Sequence, residues 1–259
     1  MSLAKEIENI KAKTDDTGVV TIYLNTDVGA ATQSSDKWRI QLKNGLNDLD
    51  DRAKNFEYKK MKELLKEIES RIDDLQKDLQ RSLILIASAD GELWEERILQ
   101  VPVTTSFHLE NTANTRELER LEQNYPEEAI IVVQKTDIKF LDVALGAIRE
   151  EINYTWDVDS EDWEDLHNQS PPSATDTTKN KAEKRFEENK YRWYKDLVPR
   201  LSKEIKNRNL TGAYLIGEKG SVSELEANMS DSHLKGVINK NLGSKPSDEI
   251  LTEVYEAKV

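Results

Sequence analysis

The chain has 259 residues, 37% of them apolar and 34% charged, and 37 Lys and Arg stand against 50 Asp and Glu for a formal charge of −13. That length suits one large domain or two of ordinary size around a buried core, and the acidic balance excludes global attraction to nucleic acid, DNA included, so any RNA contact needs a local basic stripe. No run approaches the roughly 18 apolar residues of a membrane span, and the absence of cysteine removes disulfides, thiolate nucleophiles and Cys-type zinc sites together, which fits a cytoplasmic protein.

In chain order, Met1 to Asp16 is charged and helical in pattern, with Ile7 and Ile10 its branched apolar residues, so it covers something rather than forming a core. Gly18-Val-Val-Thr-Ile-Tyr-Leu24 is a buried strand by its β-branched and aromatic content, ended by Asn25-Thr-Asp27 and Gly29. Trp38, Leu42, Leu46, Leu49 and Ala53 share one face of a helix. Met61, Leu65, Ile68, Ile72, Leu75 and Leu79 form a heptad seam on a second helix. The expected use of that seam is packing on a sheet or on the preceding helix, and a coiled-coil homodimer is the alternative. Ser82 to Ala89 and Glu92 to Leu99 are two strands around Asp90-Gly91, where glycine supplies the positive φ of a tight primed turn. Val103 to Leu109 adds a strand, and Thr115 caps a short helix through Leu118 and Leu121. Asn124-Tyr-Pro126 then marks a boundary, giving domains 1–126 and 127–259.

The second half opens with strands over Ala129 to Gln134 and Lys139 to Leu145, followed by Arg149 to Trp156. Asp157 to Asp165 holds six acidic residues and no basic one, and Leu166 to Thr178 is a Ser/Thr/Pro loop too long to be kept in a compact domain without a use or disorder. A basic helix follows: Lys179 to Arg208 has 11 Lys and Arg against 5 Asp and Glu, with Phe186, Trp193, Leu197, Leu201 and Ile205 on one stripe and Pro199 expected to kink or interrupt it. Gly212 to Gly217 is a last strand, and helical segments around Leu225, from Leu234 to Leu242 and from Ile250 to Tyr255 close the chain. The pattern is an α/β chain of two domains.

Few residues here carry catalytic chemistry. His108, His167 and His233 have no metal-ligand spacing to one another, so no metal site or cofactor is expected. Gly217-Glu-Lys-Gly220-Ser221 sits between strand and helix where amides hold phosphates, but the plainer reading is a strand exit with Ser221 as helix cap. Asp27 and Asp137 follow strands, where turn residues outnumber Mg²⁺ ligands. The loop and basic helix differ in kind: Lys179, Lys181, Lys184, Arg185 and Lys190 behind a flexible segment let a finger meet a phosphate backbone, against the ordinary meaning of such a run as a solvated face.

A strand pair, an extended loop, a helix with Ala182-Glu-Lys-Arg185-Phe186 leading to Tyr191-Arg-Trp-Tyr194, and a strand ending Leu-Ile-Gly217 before a helix resemble the middle domain of archaeo-eukaryotic peptide-chain release factors and Pelota rescue factors. Val20-Thr-Ile-Tyr-Leu-Asn-Thr-Asp27 and Lys37-Trp-Arg-Ile-Gln-Leu-Lys-Asn-Gly-Leu46 resemble the bacterial branch, in its family ten group. The resemblance covers nearly the whole chain through short motifs. It implies a second domain with an RNase H-like mixed sheet and flanking helices. It also implies a ribosome- or tRNA-associated factor in termination, rescue or quality control.

The departures bear on activity. Gly-Gly-Gln, whose backbone and side chain place a water on the peptidyl-tRNA ester, is absent, and so is an Asn-Ile-Lys-Ser codon-reading motif. The equivalent loop offers His167-Asn168-Gln169, with Gln169 the one candidate for a catalytic stand-in. The reading therefore leans away from an enzyme and toward docking on ribosome or tRNA through His167, Asn168, Gln169, Lys179, Lys181, Lys184 and Arg185. The rivals are a peptidyl-tRNA hydrolase with a non-standard loop, a Mg²⁺-dependent nuclease using Asp27 or Asp137, and a protein-interaction module dimerising through the Met61 to Leu79 seam without RNA.

Overall fold

The computed structural model describes residues 2–27, 37–157, 160, 162–167, 176–229 and 233–258, with backbone alone for 167 and 176–186. The chain divides into two compact units, one of Met1–Asn124 with Leu145–Ala147 and one of Tyr125–Ala144 with Ile148–Val259.

The first unit runs α1 (Leu3–Ala12), β1 (Thr14–Asn25), α2 (Lys37–Ala53), α3 (Tyr58–Asp74), β2 (Ser82–Ser88), β3 (Trp94–Leu99), β4 (Ser106–Thr112) and α4 (Arg116–Asn124). Its sheet has the order β3-β2-β1-β4, every pair antiparallel. Alternate residues of β1 and β2, among them Val20, Ile22, Leu24, Leu83 and Leu85, meet Trp38, Leu42, Leu49, Met61, Ile68 and Ile72 of α2 and α3 in one core. The heptad seam is thus used up inside the unit: Met61, Ile68 and Ile72 are fully buried, which removes it as a dimer face. The other sheet face is buried as well, through Val19, Tyr23, Ile84 and Ile86. The helices α1 and α4 touch and bury Leu3, Ile7, Ile10, Leu118 and Leu121.

Around Asp90-Gly91 the chain does not make the two-residue turn expected from the sequence. The ladder opens at Ala87 and Trp94, because the Asp90 carboxylate accepts from the Ser88 hydroxyl and the Glu92 amide and closes a longer connection, with Gly91 at φ 79°. The tight primed turn lies elsewhere, at Leu145 (φ 52°) and Gly146 (φ 72°).

The second unit contains β5 (Glu128–Gln134), β6 (Asp137–Ala144), β7 (Ala147–Asp157), β8 (Asp162–His167), α5 (Asp176–Asn207), β9 (Ala213–Gly217), α6 (Lys219–Glu226), β10 (Leu234–Ile238) and α7 (Ser247–Lys258). Its sheet has the order β10-β9-β5-β6-β7-β8, with β5 antiparallel to β6 and parallel to β9, and β9 parallel to β10. Counting the five strands from β7 to β10 in chain order gives 3-2-1-4-5, the RNase H-like mixed sheet, with β8 added at one edge.

Two segments differ from the sequence reading. Leu234 to Ile238 is a strand and not a helix, because parallel pairing with β9 satisfies its backbone, a long-range contact that overrides the i, i+4 spacing of its apolar residues. Residues 162–167, expected as acidic run and loop, form β8 along Ile152 to Asp157; Trp163 faces the core while Asp162, Glu164 and Asp165 stay exposed, a charge pattern that protects an edge strand.

The helices take opposite faces of this sheet. Ile131, Val133, Phe140, Tyr154 and Trp156 pack with Trp193, Tyr194, Leu197, Leu201 and Ile205 of α5 and Val222 and Leu225 of α6. Lys139 and Glu151 alternate with those strand residues and so point the other way, where both meet Ser247 at the start of α7. Burial works against ionisation of Glu151, but hydrogen bonds from Ser247 and Asn153 and the Lys139 ammonium outweigh it and hold the carboxyl below its ordinary value. A depressed carboxyl contributes stability above its unfolded value, near 4.5, that is lost as pH falls through the lower folded value. Glu151→Gln is therefore expected to cost about 1–2 kcal/mol at pH 7, with a smaller gap to wild type at an acidic pH below the ordinary value near 4.5. Urea unfolding at both pH values checks this, and a gap of equal size at each would refute it.

Candidate functional site

The helix α5 is 32 residues long, and among its residues with described side chains the sheet-facing stripe begins at Trp193. From Asp176 to Arg192 it runs about 25 Å at 1.5 Å per residue. Over the part of that stretch with described side chains, Glu187 to Arg192, nothing is buried, and Tyr191 is 61% exposed. Lys190 ties the segment to α6 through Glu224, at 2.8 Å, and to Glu187, which together raise the Lys190 ammonium above its usual range.

The root of this segment is an aromatic clamp. Trp193 stacks on Trp156 with ring centroids 3.9 Å apart and planes at 20°. Trp163 meets Trp156 edge-on at 5.5 Å and lies parallel to Tyr194 at 6.3 Å. Polar atoms fix the register: Trp163 Nε1 donates to the Trp193 carbonyl at 2.9 Å, and the Tyr194 hydroxyl donates to the Lys135 carbonyl at 3.2 Å. Arg200, two turns further along α5, donates to the Trp163 carbonyl and to the Asp162 carboxylate. Burial pushes the Tyr194 phenol up, with the Ser221 hydroxyl opposing; the Trp163 amide and Arg200 hold Asp162 low against a smaller desolvation effect. Three of the chain's five tryptophans therefore hold the point at which α5 leaves the sheet. In the sequence, periodicity puts Trp193 on the helix stripe but does not join it to Trp156 and Trp163.

Pro199 neither kinks α5 to an end nor interrupts it. It lies on the exposed side with Lys195, four residues back, so the Lys195 carbonyl that loses its amide partner faces solvent. At the far end of α5, Arg208 donates to Asp142 at 3.1 Å and Glu150 at 2.6 Å, while Arg149 donates to Asp142 and Glu127. These bonds raise the Arg208 guanidinium further above its usual value, against desolvation.

Lys179, Lys181, Lys184 and Arg185 all fall on α5, within its first ten positions. His167 ends β8 opposite Ile152. Asn168 and Gln169 lie outside the described residues. The remaining candidates are dispersed. Asp27 is ion-paired with Arg81 at 2.8 Å in the first unit, while Asp137 accepts from Thr136 and Thr155 in the second. The His108 ring meets Ser106 and Asn114, and burial pushes its pKa down. Among the described residues no three His, Cys, Asp or Glu are grouped to hold a metal, and no helix is long and apolar enough to cross a membrane.

The Gly217 to Ser221 segment is a strand exit, though not capped as expected. Glu218 occupies the cap position, α6 starts at Lys219, and the Ser221 hydroxyl turns to Tyr194. Gly217 is required for closeness to β5: a Cβ there would stand 2.4 Å from the Val133 carbonyl oxygen.

A family model, bacterial archaeo-eukaryotic release factor family 5, matches residues 126–256, about half of the chain and all of the β5 to α7 sheet. The uncharacterized protein YocB of Bacillus subtilis (strain 168) is 29% identical over 258 residues, covering 98% of each chain. Among solved structures, the archaeal translation termination factor aRF1 is similar at 15% identity and a TM-score of 0.33, covering 99% of this chain and 74% of that one. A second, described as an archaeal protein, is similar at 13% identity and a TM-score of 0.33, covering 98% and 72%. The family match meets the release-factor resemblance of the second-half motifs, with family 5 in place of the family ten group. Membership implies a translation-factor relationship and, at that general level, an interaction related to the ribosome. The chain belongs to bacterial archaeo-eukaryotic release factor family 5.

Proposed function

We propose that this protein is a cytoplasmic factor that docks on the ribosome or on tRNA, in termination, rescue or quality control, and that it does so without releasing peptide. The observation that carries the reading is α5. A release-factor-family unit holds a long helix by an aromatic clamp at Trp193, and the basic residues Lys179, Lys181, Lys184 and Arg185 sit in the stretch beyond that clamp. A rigid root and a cationic outer segment suit contact with a phosphate backbone, since position is set by packing while charge supplies the attraction. The missing Gly-Gly-Gln supports the absence of ester hydrolysis.

The test is co-sedimentation with ribosomal particles on sucrose gradients at low and moderate salt. Wild type is expected to associate in a salt-sensitive manner. Reversing Lys179, Lys181, Lys184 and Arg185 to Glu is expected to reduce association at least about tenfold at low salt and to flatten its salt dependence. Undiminished binding of the variant, or absence of wild type from every ribosomal fraction, would overturn the reading. Peptidyl-tRNA turnover abolished by Gln169→Ala would replace it with a hydrolase.

A further inference from the structure

We propose that the outward face of the N-terminal half of α2, in the first unit, is a docking surface for the phosphate backbone of single-stranded RNA. Residues 37–47 include Lys37, Arg39 and Lys43 and no carboxylate, in a chain whose formal charge is −13. None of the three is ion-paired among the described residues; Arg39 lies over the Trp38 ring at 5.4 Å. The contrast is with residues 232–247, another stretch free of acids with three cations. There Lys235, Lys240 and Lys245 are all neutralised, by Glu128, Glu253 and Glu249. Among the described residues the α2 cations have no carboxylate partner, and the first turn of α2, where cations oppose the helix dipole, holds no acidic residue.

The shape of the patch selects the ligand. Trp38, Leu42, Leu46 and Leu49 fill the core, so Ile40 and Asn44 point away from it, and Ile40 is 60% exposed. Lys37 and Lys43 are separated by about 9 Å along the helix axis. Cations on flexible stems, spread over the exposed part of a convex helix surface, suit a polyanion contacted at several phosphates. Exposed Ile40 offers an apolar contact to a base or ribose, and Asn44 and Asn47 offer amides that donate and accept. The choice of RNA over an acidic protein rests on the ribosome reading above.

The experiment is a fluorescence-anisotropy titration of the full chain with a labelled oligouridine about 20 nucleotides long, over a range of salt, beside the Lys37→Gln/Arg39→Gln/Lys43→Gln variant. Three lost contacts should lower the slope of log affinity against log salt by about 2 and weaken binding at low salt at least about tenfold. A Lys37→Arg/Lys43→Arg variant keeps the charge and should keep the slope, which separates charge loss from misfolding. Unchanged binding in the Gln variant, no RNA binding by wild type, or displacement of RNA by polyglutamate at equal charge concentration would overturn the proposal, the last in favour of an acidic protein partner. Gradient sedimentation separates the two readings. Ribosome association lost on α5 reversal but RNA binding indifferent to α2 leaves the function standing and removes this inference. RNA binding dependent on α2 in a protein found in no ribosomal fraction does the reverse.

Discussion

Trp193→Ala is expected to lower the unfolding free energy by about 3–5 kcal/mol, the range for truncating a large aromatic residue in a packed interior. Trp193 is 3% exposed, stacks on Trp156 and supplies the carbonyl that Trp163 Nε1 donates to. The backbone carbonyl that accepts from Trp163 survives the substitution, but Trp156, which Trp163 meets edge-on, loses the ring stacked on it. Trp193→Phe retains part of the stacking and should recover more than half of the loss. Urea unfolding followed by tryptophan fluorescence and by circular dichroism measures both. The variants also test the role assigned to the clamp: at a temperature where Trp193→Ala remains folded, salt-sensitive sedimentation with ribosomes should fall with it, because the basic outer segment loses its fixed root. A loss under about 1 kcal/mol would show that the cluster is not a cooperative anchor.

The second large effect lies at Glu128, on the α7 face of the same sheet. Glu128 is 1% exposed and pairs with Lys258 and, at 3.3 Å, with Lys235; the Lys258 ammonium also sits 4.3 Å over the Tyr214 ring. Removing one partner of a buried pair leaves a charge without compensation, so Lys258→Met is expected to cost about 3 kcal/mol, the lower end of the range because Lys235 remains. In a Glu128→Leu background the same substitution should cost under about 1 kcal/mol, since no buried carboxylate is left to satisfy. Equal costs in the two backgrounds would mean that Lys258 acts by packing its stem on Tyr214 and Tyr255, not by charge.

Local pattern was enough for much of this molecule. Trp38 to Ala53 and Met61 to Leu75 announce two helices because an apolar residue every three or four positions admits one conformation that buries them together, and the burial of both stripes follows. Runs such as Ser82 to Ser88 and Glu128 to Gln134 are apolar on both faces and are central strands for the same reason. The basic composition after Lys179 and the exclusion of a spanning helix also needed nothing beyond residue types.

The tertiary structure decided what depends on distant partners. Leu234 to Ile238 became a strand because β9 lies beside it, and the acidic Asp162 to His167 became one because β7 offers a free edge and α5 a seat for Trp163. Pro199 stays inside α5 because its side of the helix is wet. Above all, the clamp that positions the candidate site joins Trp156 and Trp163 on strands to Trp193 on a helix, some 30 residues later. Periodicity assigns a residue to a face of its own element. Which face of another element it meets is set by sheet order and packing, long-range terms that no local window of sequence contains.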